Sequence, residues 1–512
     1  LEDFNEELQE MAIAIIHATI RPNMFFDIEA TEELRTAAIE SVEKVVIKKG
    51  DIILKEGEIV TYDDLQLLRE LSILTDDNTI DIMLYLGIAS IVLVLELLII
   101  AYIYVFNREI LQETDKLLMI LLIILATMII SKAISMISIY LMPVAVGAML
   151  ISILVETRLA LLINLCLTIL TSIIVGNDII FIIMTLLGGT VGVLGTTNVQ
   201  KRTTIFLSGL MVSIVSSASI IGVGFIITNE LTKILIYGFY GFLNGFLSSI
   251  LTLGTLPLWE HLFRVVTPLK LVELFNPNEP LLKRLLIEAP GTYHHSIIVG
   301  NLSESAASAI GANPLLARVG AFYHDIGKIK RPYFFKENQL TSENPHDKLN
   351  PSLSSLIITG HVKEGLELAK KYKLPIEVRN FIEQHHGDTL VAYFYHKAKN
   401  SENGENVDEQ SFRYAGPKPQ SKEVAIVMLA DSVEAAVRSI ASPSKEKIED
   451  LVNKIIQGKL MDRQLEETNL TLKELEIIKK TFTKGMLGIF HERIEYPDTK
   501  EVKERKAYGT SN

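Results

Sequence analysis

Long apolar runs fill the middle of the chain, and they constrain its fold more strongly than any other feature. Each run approaches the ~17–25 residues that a helix needs to cross a bilayer. The second and third runs nearly fuse around Ser131 and Lys132, so six spans is the competing count. We therefore predict a bundle of seven transmembrane helices, at about residues 82–106, 117–134, 135–155, 159–175, 179–197, 204–227 and 234–258.

Composition agrees with this prediction and excludes several classes of protein. The 512 residues are 49% hydrophobic and 21% charged, with a mean hydropathy of +0.31. A wholly soluble enzyme or a disordered chain would carry more charge and fewer apolar residues. The net charge of -12 excludes a strongly basic nucleic-acid binder. The single cysteine, Cys166, excludes an intrachain disulfide framework and a cysteine-based zinc site.

Basic residues in the loops between the runs predict the orientation of the bundle. Cytoplasmic loops of membrane proteins carry an excess of Lys and Arg. With seven spans and the N-terminus outside, five basic residues lie in inner loops and two lie in outer loops. We therefore expect everything after about residue 265 to be cytoplasmic. The inner residues are Arg108, Lys116, Arg158, Lys201 and Arg202, and the outer residues are Lys132 and Lys233.

The first 80 residues are acidic and carry few large apolar groups, so they form a thin core at best. Helical patterns occur at 11–20 and 32–42, and residues 45–54 read as strand, turn and strand. Thr61, followed three residues later by Asp64, is typical of a helix cap. We predict a small α/β remnant, the membrane-proximal end of an extracellular sensor domain. Since no signal peptide opens the chain, we expect a trimmed or truncated product.

The last part of the chain has the composition of a soluble domain and a helical periodicity throughout. Its only long polar break, at 400–420, is predicted to be a loop. The sequence thus divides into residues 1–80 outside the membrane, a transmembrane domain at 81–265 and a cytoplasmic domain at 266–512. The fold class is mainly α.

Nine of the eleven histidines fall in the cytoplasmic part. His324 and Asp325 end an apolar helical pattern, directly before Gly327, which we expect to stop the helix, and Lys328. Burying two adjacent polar groups on an apolar helix costs free energy unless a partner binds them. His324 and Asp325 are therefore either two metal ligands or a helix-capping pair that bonds to the backbone.

Further candidate ligands strengthen the metal hypothesis. Each alone could be a satisfied structural group, but together they indicate a metal centre. A donor set of His and Asp without Cys suits Fe or Mn, with Zn as an alternative. These ligands are too many for a single metal ion. A pair of ions bridged by an Asp carboxylate is suited to phosphoester hydrolysis. The further candidates are His295, which faces inward more than His294 does, His361, His385, His386 and Asp431.

Other polar residues are weaker candidates. His346 and Asp347 lie in a loop with prolines on both sides, which favours a substrate-side contact over metal ligation. His396 and His491 lack matching partners, so we expect them to be structural or exposed. Glu96 lies within the first span. An ionisable residue at that depth is either a functional group or a polar contact to a neighbouring helix.

The residues around these histidines resemble the HD superfamily of metal-dependent phosphohydrolases. The motifs that carry the resemblance lie at 293–296, 320–328, 337–339 and 412–419. With seven spans ahead of them, the whole chain resembles the bacterial 7TM-HD proteins, and residues 21–58 are similar to the end of that family's extracellular domain. The family has a further membrane helix and most of an extracellular domain ahead of this segment, and it has Pro where this chain has Ala415.

This resemblance implies a bacterial cell-membrane enzyme that hydrolyses cyclic di-AMP to linear pApA and is regulated by its transmembrane and extracellular parts. Lys328 would stabilise charge or donate a proton at the scissile phosphate. An unidentified extracellular ligand is expected, and a homodimer is left open. One ion would be held by His295, His324, Asp325 and Asp431, and the other by Asp325, His361, His385 and His386.

Two rival functions remain at this point. A cyclic di-GMP phosphodiesterase of the related HD-GYP branch would carry Gly-Tyr-Pro after the paired histidines, whereas this chain continues with residues 387–390, Gly-Asp-Thr-Leu. The other rival is a non-enzymatic receptor or transporter with a degenerate HD domain. A transport path usually needs several polar groups at membrane depth, whereas Glu96 is the only clear acidic group there, with Asn164 as a milder case. The complete ligand set argues against a degenerate domain.

Overall fold

The computed structural model describes residues 5–489 except 22–23, 25–26, 43–51, 56, 72, 75–81, 198, 340–342, 401–406 and 441–443. The described residues form helices and no β-strand, apart from one isolated bridge between Leu390 and Arg413. The predicted mainly-α class is confirmed. Most of the predicted strand pair at 45–54 lies outside the described residues, so the α/β character of the N-terminal piece stays a prediction.

The helices of the first half of the chain are α1 (Glu6–Thr19), α2 (Ile28–Ser41), α3 (Tyr62–Glu70), α4 (Ile82–Phe106), α5 (Arg108–Gln112), α6 (Thr114–Ser135), α7 (Ala145–Leu154), α8 (Thr157–Ile174), α9 (Ile179–Gly195), α10 (Arg202–Ile227) and α11 (Leu231–Phe263). The later helices are α12 (Pro268–Leu274), α13 (Pro280–Glu288), α14 (Pro290–Ile310), α15 (Pro314–Tyr323), α16 (Pro351–Lys371), α17 (Ile376–Gln384), α18 (Ala392–Lys399), α19 (Lys422–Arg438), α20 (Lys445–Met461) and α21 (Leu472–Ile489).

The chain divides into two compact units, Leu1–Ile88 and Ala89–Asn512. In the first unit, α3 begins with the predicted cap. The hydroxyl of Thr61 accepts a hydrogen bond from the Asp64 amide at 3.3 Å, and the Asp64 carboxylate accepts one from the Thr61 amide at 2.8 Å. This reciprocal pair satisfies two amides that the helix itself leaves free. The division into 1–80, 81–265 and 266–512 stays a prediction.

Within the described ranges, five helices are long and apolar enough to cross a membrane, namely α4, α6, α8, α10 and α11. Two further apolar stretches, Ile139–Leu154 and α9, are shorter. All seven predicted runs are therefore helical at least in part, but the number of spans stays a prediction.

The third predicted span differs from the continuous helix that its hydropathy indicated. A 3-10 turn at Ile139–Leu141 precedes α7, and Pro143 lies in the break. Because proline lacks an amide hydrogen, the helix cannot continue its hydrogen bonding through this point. The Asn244 side chain of α11 donates to the carbonyl oxygens of Tyr140 at 3.3 Å and Met142 at 2.5 Å. Side-chain donors of this kind allow irregular backbone at membrane depth.

Small residues let the longest helices of the bundle approach closely. A Cβ atom on Gly245 of α11 would lie 2.1 Å from the Ser213 amide nitrogen of α10. Close packing at Gly and Ser is a common way for membrane helices to associate. Glu96 is instead exposed on α4, so the polar contact to a neighbouring helix is not formed among the described residues of this chain.

In the part of the chain after α11, α14 packs against α15, α19 and α21, and α16 packs against the 3-10 turn Ile326–Lys330. The core between these helices is aliphatic and aromatic, with Val299, Phe381, Val427 and Phe482 buried. Several helices start with proline in the first turn, where its missing amide hydrogen costs nothing. These prolines make the helix starts readable in the sequence, and they are Pro268, Pro280, Pro290, Pro314 and Pro351.

Candidate metal centre

Five helices bring the predicted ligands to one place in the core. His295 lies on α14, His324 and Asp325 follow the end of α15, and His361 lies on α16. The remaining ligands are His385 and His386, which follow α17, and Asp431, which lies on α19. His295 is 3% exposed whereas His294 is exposed, so the inward choice between the two neighbours is confirmed.

The first group consists of His295, His324, Asp325 and Asp431, whose candidate ligand atoms all lie within 4.8 Å of one another. His295 Nε2 lies 3.0 Å from Asp431 Oδ1 and 3.7 Å from Asp325 Oδ2. His324 Nε2 lies 3.2 Å from the same Asp325 Oδ2. Two imidazole nitrogens and two carboxylates thus surround one small volume.

The second group consists of Asp325, His361, His385 and His386, with the same 4.8 Å limit on ligand-atom separation. Asp325 Oδ1 lies 3.3 Å from His361 Nε2 and 3.6 Å from His385 Nε2. The two oxygens of Asp325 therefore face different groups, which is the arrangement that a carboxylate bridging two ions requires.

Backbone and side-chain acceptors fix which ring nitrogen faces the centre. Nδ1 of His324 contacts the Ala321 carbonyl oxygen at 2.6 Å, and Nδ1 of His361 contacts that of Ile358 at 2.6 Å. Because each Nδ1 is held by an outer oxygen, Nε2 is left toward the centre, as is common for metal-binding histidines.

Some buried atoms at the centre have no hydrogen-bond partner among the described residues. They include His324 Nε2 and Asp325 Oδ1. Buried polar atoms without a partner are costly, and each needs an explanation. Divalent cations would satisfy these nitrogen and oxygen donors, so the residues present fit a metal centre.

The electrostatics of the first group favour charged side chains. Burial acts to lower the pKa of His295, but Asp431 and Glu434 outweigh it and raise the pKa to about 8. Burial is likewise outweighed at His324, where Asp325 raises the pKa to about 10. Without metal, protons on these two imidazoles balance the carboxylates, so a metal ion must displace protons to bind here.

In the second group, the pKa values of the histidines shift in the opposite direction. Burial lowers the pKa of His361 to about 3, and it also lowers the pKa values of His385 and His386. These three imidazoles are neutral at physiological pH, which is the form that ligates metal.

Lys328 lies beside the centre with its ammonium group between two carboxylates. Its Nζ is 2.7 Å from Asp325 Oδ2 and 2.8 Å from Glu337 Oε1. Burial acts to lower the pKa of Lys328, but Asp325 and Glu337 override it and raise that pKa. The side chain is therefore a fixed positive charge within reach of anything bound at Asp325.

Gly327 does not end the helix as predicted, because α15 already ends at Tyr323. The structure gives another reason why glycine is required at this position. A Cβ atom on Gly327 would lie 1.8 Å from the His361 carbonyl oxygen. Only glycine lets the turn after Asp325 lie directly against α16. This contact brings Asp325 and His361 together.

Comparisons with known proteins agree with this architecture. Three family models match the chain, 7TM-HD extracellular at residues 1–75, 7TM receptor with intracellular HD hydrolase at 82–267 and HD domain at 292–436. The cyclic-di-AMP phosphodiesterase PgpH of Bacillus subtilis is 41% identical over 503 residues, which are 94% of this chain and 70% of the relative. The chain belongs to the 7TM-HD family.

Other 7TM-HD proteins are similar over comparable lengths. The PgpH of Listeria monocytogenes is 38% identical over 503 residues, covering 95% of this chain and 69% of that relative. A crystal structure of the L. monocytogenes PgpH HD domain with cyclic-di-AMP is 51% identical and covers 42% of this chain and 100% of that chain, with a TM-score of 0.41. The resemblance inferred from the motifs is confirmed, and this 7TM-HD chain is a membrane protein with a divalent-metal hydrolase domain.

The sequence analysis of this 7TM-HD chain missed Glu434. The residue is 2% exposed, and its Oε2 lies 2.6 Å from His295 Nδ1. It follows Asp431 by three positions on α19, so both carboxylates lie on one helix face. That spacing is the signal that the sequence offers, and it does not by itself distinguish a buried acid from a surface acid.

Tyr414 is a second contact of the centre. Its ring centroid is 4.2 Å from that of His386 and 6.1 Å from that of His361. The side chain is 9% exposed. The sequence analysis included Tyr414 in a loop motif, but gave no role to its ring as a wall beside the second ligand group.

His346 belongs to neither ligand group found among the described residues. It is 4% exposed, and its Nε2 lies 2.9 Å from the Phe334 carbonyl oxygen. This agrees with its exclusion from the ligands, while its substrate-side role stays a prediction. His396 is exposed, and His491 lies outside the described residues.

Proposed function

We propose that this protein is a membrane-bound phosphodiesterase that hydrolyses cyclic di-AMP to pApA with two divalent ions. The observation that carries the proposal is Asp325, whose two oxygens face two separate sets of imidazoles. The substrate follows from family membership, since both PgpH relatives are named for cyclic di-AMP.

Residues of both groups would hold the ions, with Asp325 shared. One ion would lie between His295, His324 and Asp431, and the other between the imidazoles of the second group. Two bound ions would supply an activated water nucleophile and positive charge for the phosphate oxygens. The donor set favours Fe or Mn, because it contains imidazole and carboxylate without thiolate, and Zn is the third ion to test.

The chain's own residues perform the remaining tasks. Lys328 donates a hydrogen bond to a phosphate oxygen and stabilises the negative charge that develops during hydrolysis. Glu337 fixes the direction of that ammonium group through the 2.8 Å contact. Glu434 holds His295 so that Nε2 faces the centre. The ring of Tyr414 covers the imidazole of His386 and restricts access of water from that side.

Hydrolysis of a panel of cyclic dinucleotides by the full chain in detergent tests this function. After metal removal, Mn, Fe or Zn is added back separately. We expect cyclic di-AMP to be cleaved to pApA fastest, with activity only after an ion is restored. Preference for cyclic di-GMP would overturn the substrate and leave the metal chemistry standing, while full activity after stringent metal removal would overturn both.

The proposed topology places residues 1–80 outside, the bundle at 81–265 in the membrane and 266–512 in the cytoplasm. It is supported by the five-to-two distribution of basic loop residues. The outer piece and the bundle would then regulate hydrolysis inside the cell.

Cysteine labelling of intact cells tests this topology. The native Cys166 is buried, so new cysteines at Glu58 and Lys454, both exposed, can be compared. An impermeant reagent should label Glu58→Cys and leave Lys454→Cys unlabelled until the cells are opened. The reverse pattern would contradict the orientation.

A further inference from the structure

A cavity of about 540 Å³ lies where the bundle meets the hydrolase domain, away from the metal centre. We call it the boundary cavity. One wall is apolar and comes from Leu253, Leu256 and Pro257, in the last turns of α11. The opposite wall comes from the end of α16 and the start of α17.

Positive charge predominates in the lining of the boundary cavity. The acidic residues in it are Glu260 and Glu273. Glu273 is already paired, at 2.6 Å with Arg202 and 3.6 Å with Lys270. The lining residues with positive charge are Arg202, Arg264, Lys270, Lys370, Lys373 and Arg379.

Four of these cations form no ion pair with any residue in the described parts of the chain, namely Arg264, Lys370, Lys373 and Arg379. The Arg379 Nε atom is also buried without a hydrogen-bond partner among those residues. A guanidinium nitrogen that is removed from water in this way is costly unless an acceptor reaches it. Glu260, the other acidic residue of the lining, accepts a hydrogen bond from the Thr267 hydroxyl, so six cations face two carboxylates that already have partners. The excess positive charge calls for a further anion from outside the chain.

The backbone adds to this positive field. Pro375 and Ile376 line the cavity at the start of α17, and no side chain caps that helix. Such a helix start attracts anions through its amides and the helix dipole, and the Glu377 carboxylate in the first turn supplies part of that negative charge. Arg264 and Lys373 have φ angles of +55° and +54°, in the left-handed region that residues other than glycine rarely adopt. The fold thus keeps two cations at this cavity in a costly conformation.

We propose that the boundary cavity binds the phosphate group of an anionic ligand, and that this ligand is a phospholipid of the membrane leaflet on the hydrolase side. Arginine, lysine and a helix start are the groups that proteins use for phosphate. The apolar wall continues the transmembrane helix α11, so acyl chains can lie against Leu253 while the headgroup meets the cations. Basic clusters next to a membrane helix are typical sites for anionic lipid.

The position of the boundary cavity connects it to the metal centre through two helices. Lys370 lies nine residues after His361 on α16, or ~13 Å along the helix axis. The helix α17 begins at the cavity and leads to His385 and His386. A bound headgroup would therefore contact both helices that carry imidazoles of the second ligand group.

The experiment compares lipid retention by the full chain in nanodiscs that contain phosphatidylcholine with or without phosphatidylglycerol. Binding of spin-labelled phosphatidylglycerol is measured for wild type and for Lys370→Gln/Lys373→Gln, two exposed positions whose change should not disturb folding. The matched control is Lys371→Gln/Lys454→Gln, which removes two exposed lysines outside the cavity lining. We expect roughly tenfold weaker binding in the cavity variant and less than twofold change in the control.

Two further arms identify the source of the phosphate. The charge-conserving variant Lys370→Arg/Lys373→Arg should restore lipid binding, and unfolding temperature and metal content should be equal in all variants. Radiolabelled inorganic phosphate is then added to discs of phosphatidylcholine alone. If phosphate binds to wild type only and phosphatidylglycerol is not enriched, the lipid is the wrong ligand. If the cavity and control variants retain phosphatidylglycerol equally well, the proposal is overturned.

Discussion

The membrane bundle and the hydrolase domain treat buried polar atoms in different ways. In the bundle, hydroxyl groups donate to carbonyl oxygens of their own helix one turn earlier, as Thr127 does to Ile123 at 2.7 Å and Ser213 does to Gly209 at 3.0 Å. In the hydrolase domain, polar side chains from five helices converge and leave Asp325 Oδ1 without a hydrogen-bond partner. The described part of the bundle also has scattered buried atoms without a partner, such as Ser131 Oγ and Thr185 Oγ1, whereas those of His324 and Asp325 meet at one point. Groups that converge without partners in this way indicate a bound ligand.

Glycine shows the same contrast. In the bundle, a Cβ atom on Gly209 would lie 2.3 Å from Ser249 Cβ, so the absence of a side chain sets the distance between two helices. In the hydrolase domain, a Cβ atom on Gly291 would lie 1.9 Å from the Glu337 carbonyl oxygen, and Gly327 meets His361 in a similar way. There, Gly291 lets the turn that carries Glu337 approach α14, and Gly327 lets the turn after Asp325 approach α16.

The largest effect should come from Asp325→Asn, which keeps the shape of the side chain and removes the charge shared by both ligand groups. We expect hydrolysis to fall by well over ~100-fold, since even an outer partner of a metal ligand contributes up to about 100-fold, and bound metal to be lost from both groups. Metal analysis and a hydrolysis assay on purified protein measure the two quantities. The control is Asp347→Ala in the other His-Asp pair, whose carboxylate is 66% exposed. Equal loss of metal in the control would show that the wrong pair was chosen.

A smaller effect is expected for Lys328→Met, which removes the positive charge beside Asp325 without removing a ligand. The kcat should fall by ~10²-fold while metal content stays unchanged, because one electrostatic donor is lost. Lys330→Met is the control, since Lys330 is exposed two positions later. Loss of metal from the Lys328 variant would mean that the lysine supports the ligands and not the substrate.

Glu434→Gln should weaken metal binding, with little effect on kcat once metal is bound. The carboxylate holds His295 through the 2.6 Å contact to Nδ1, and outer partners of this kind contribute 10–100-fold, roughly, to metal affinity. Titration of metal-free protein with Mn measures the change, and saturating Mn should restore most of the kcat. The exposed Glu449→Gln on α20 should bind Mn as wild type does. If excess metal does not rescue the Glu434 variant, Glu434 has a role in catalysis itself.

The predicted ligands could be found from sequence because each lies on, or directly after, a helix with a clear apolar face. An inward polar residue such as His295 or Asp431 stands out against that face. Glu434 could not be separated from ordinary surface acids, because its burial depends on α14 packing against α19. Gly327 was recognised, but its contact with His361 requires knowledge of how the two segments cross in space.

The membrane region shows the complementary limit. Hydropathy located all seven apolar runs, since apolarity is a property of each segment alone. It did not predict the break before α7, because that break is stabilised by Asn244, about a hundred residues later in the chain. Segments that depend on a distant side chain cannot be derived from their own composition.

Gly245→Ala tests whether packing, and not chemistry, limits substitution in the bundle. The added methyl group would overlap the Ser213 amide of α10, and overpacking of this kind costs about 1–3 kcal/mol. Thermal unfolding in detergent should show a lower Tm with metal content unchanged. Gly254→Ala on the same helix is the matched control, because no atom lies within 4 Å of its added Cβ. Equal Tm values for the two variants would contradict the close approach of α10 and α11.

The smallest effect on the centre should come from His346→Ala. His346 is buried against the rings of Phe334 and Phe394, and it lies in neither ligand group. The neighbouring Phe335 ring lies 5.0 Å from Lys328 Nζ. We therefore expect His346 to affect substrate binding indirectly, by holding residues 334–335 in place. Loss of one hydrogen bond to Phe334 should raise KM by a few-fold, on the order of 1 kcal/mol, with kcat and bound metal unchanged. Steady-state kinetics at saturating Mn separate these quantities, and a fall in kcat as large as that of the Lys328 variant would place His346 in the catalytic machinery.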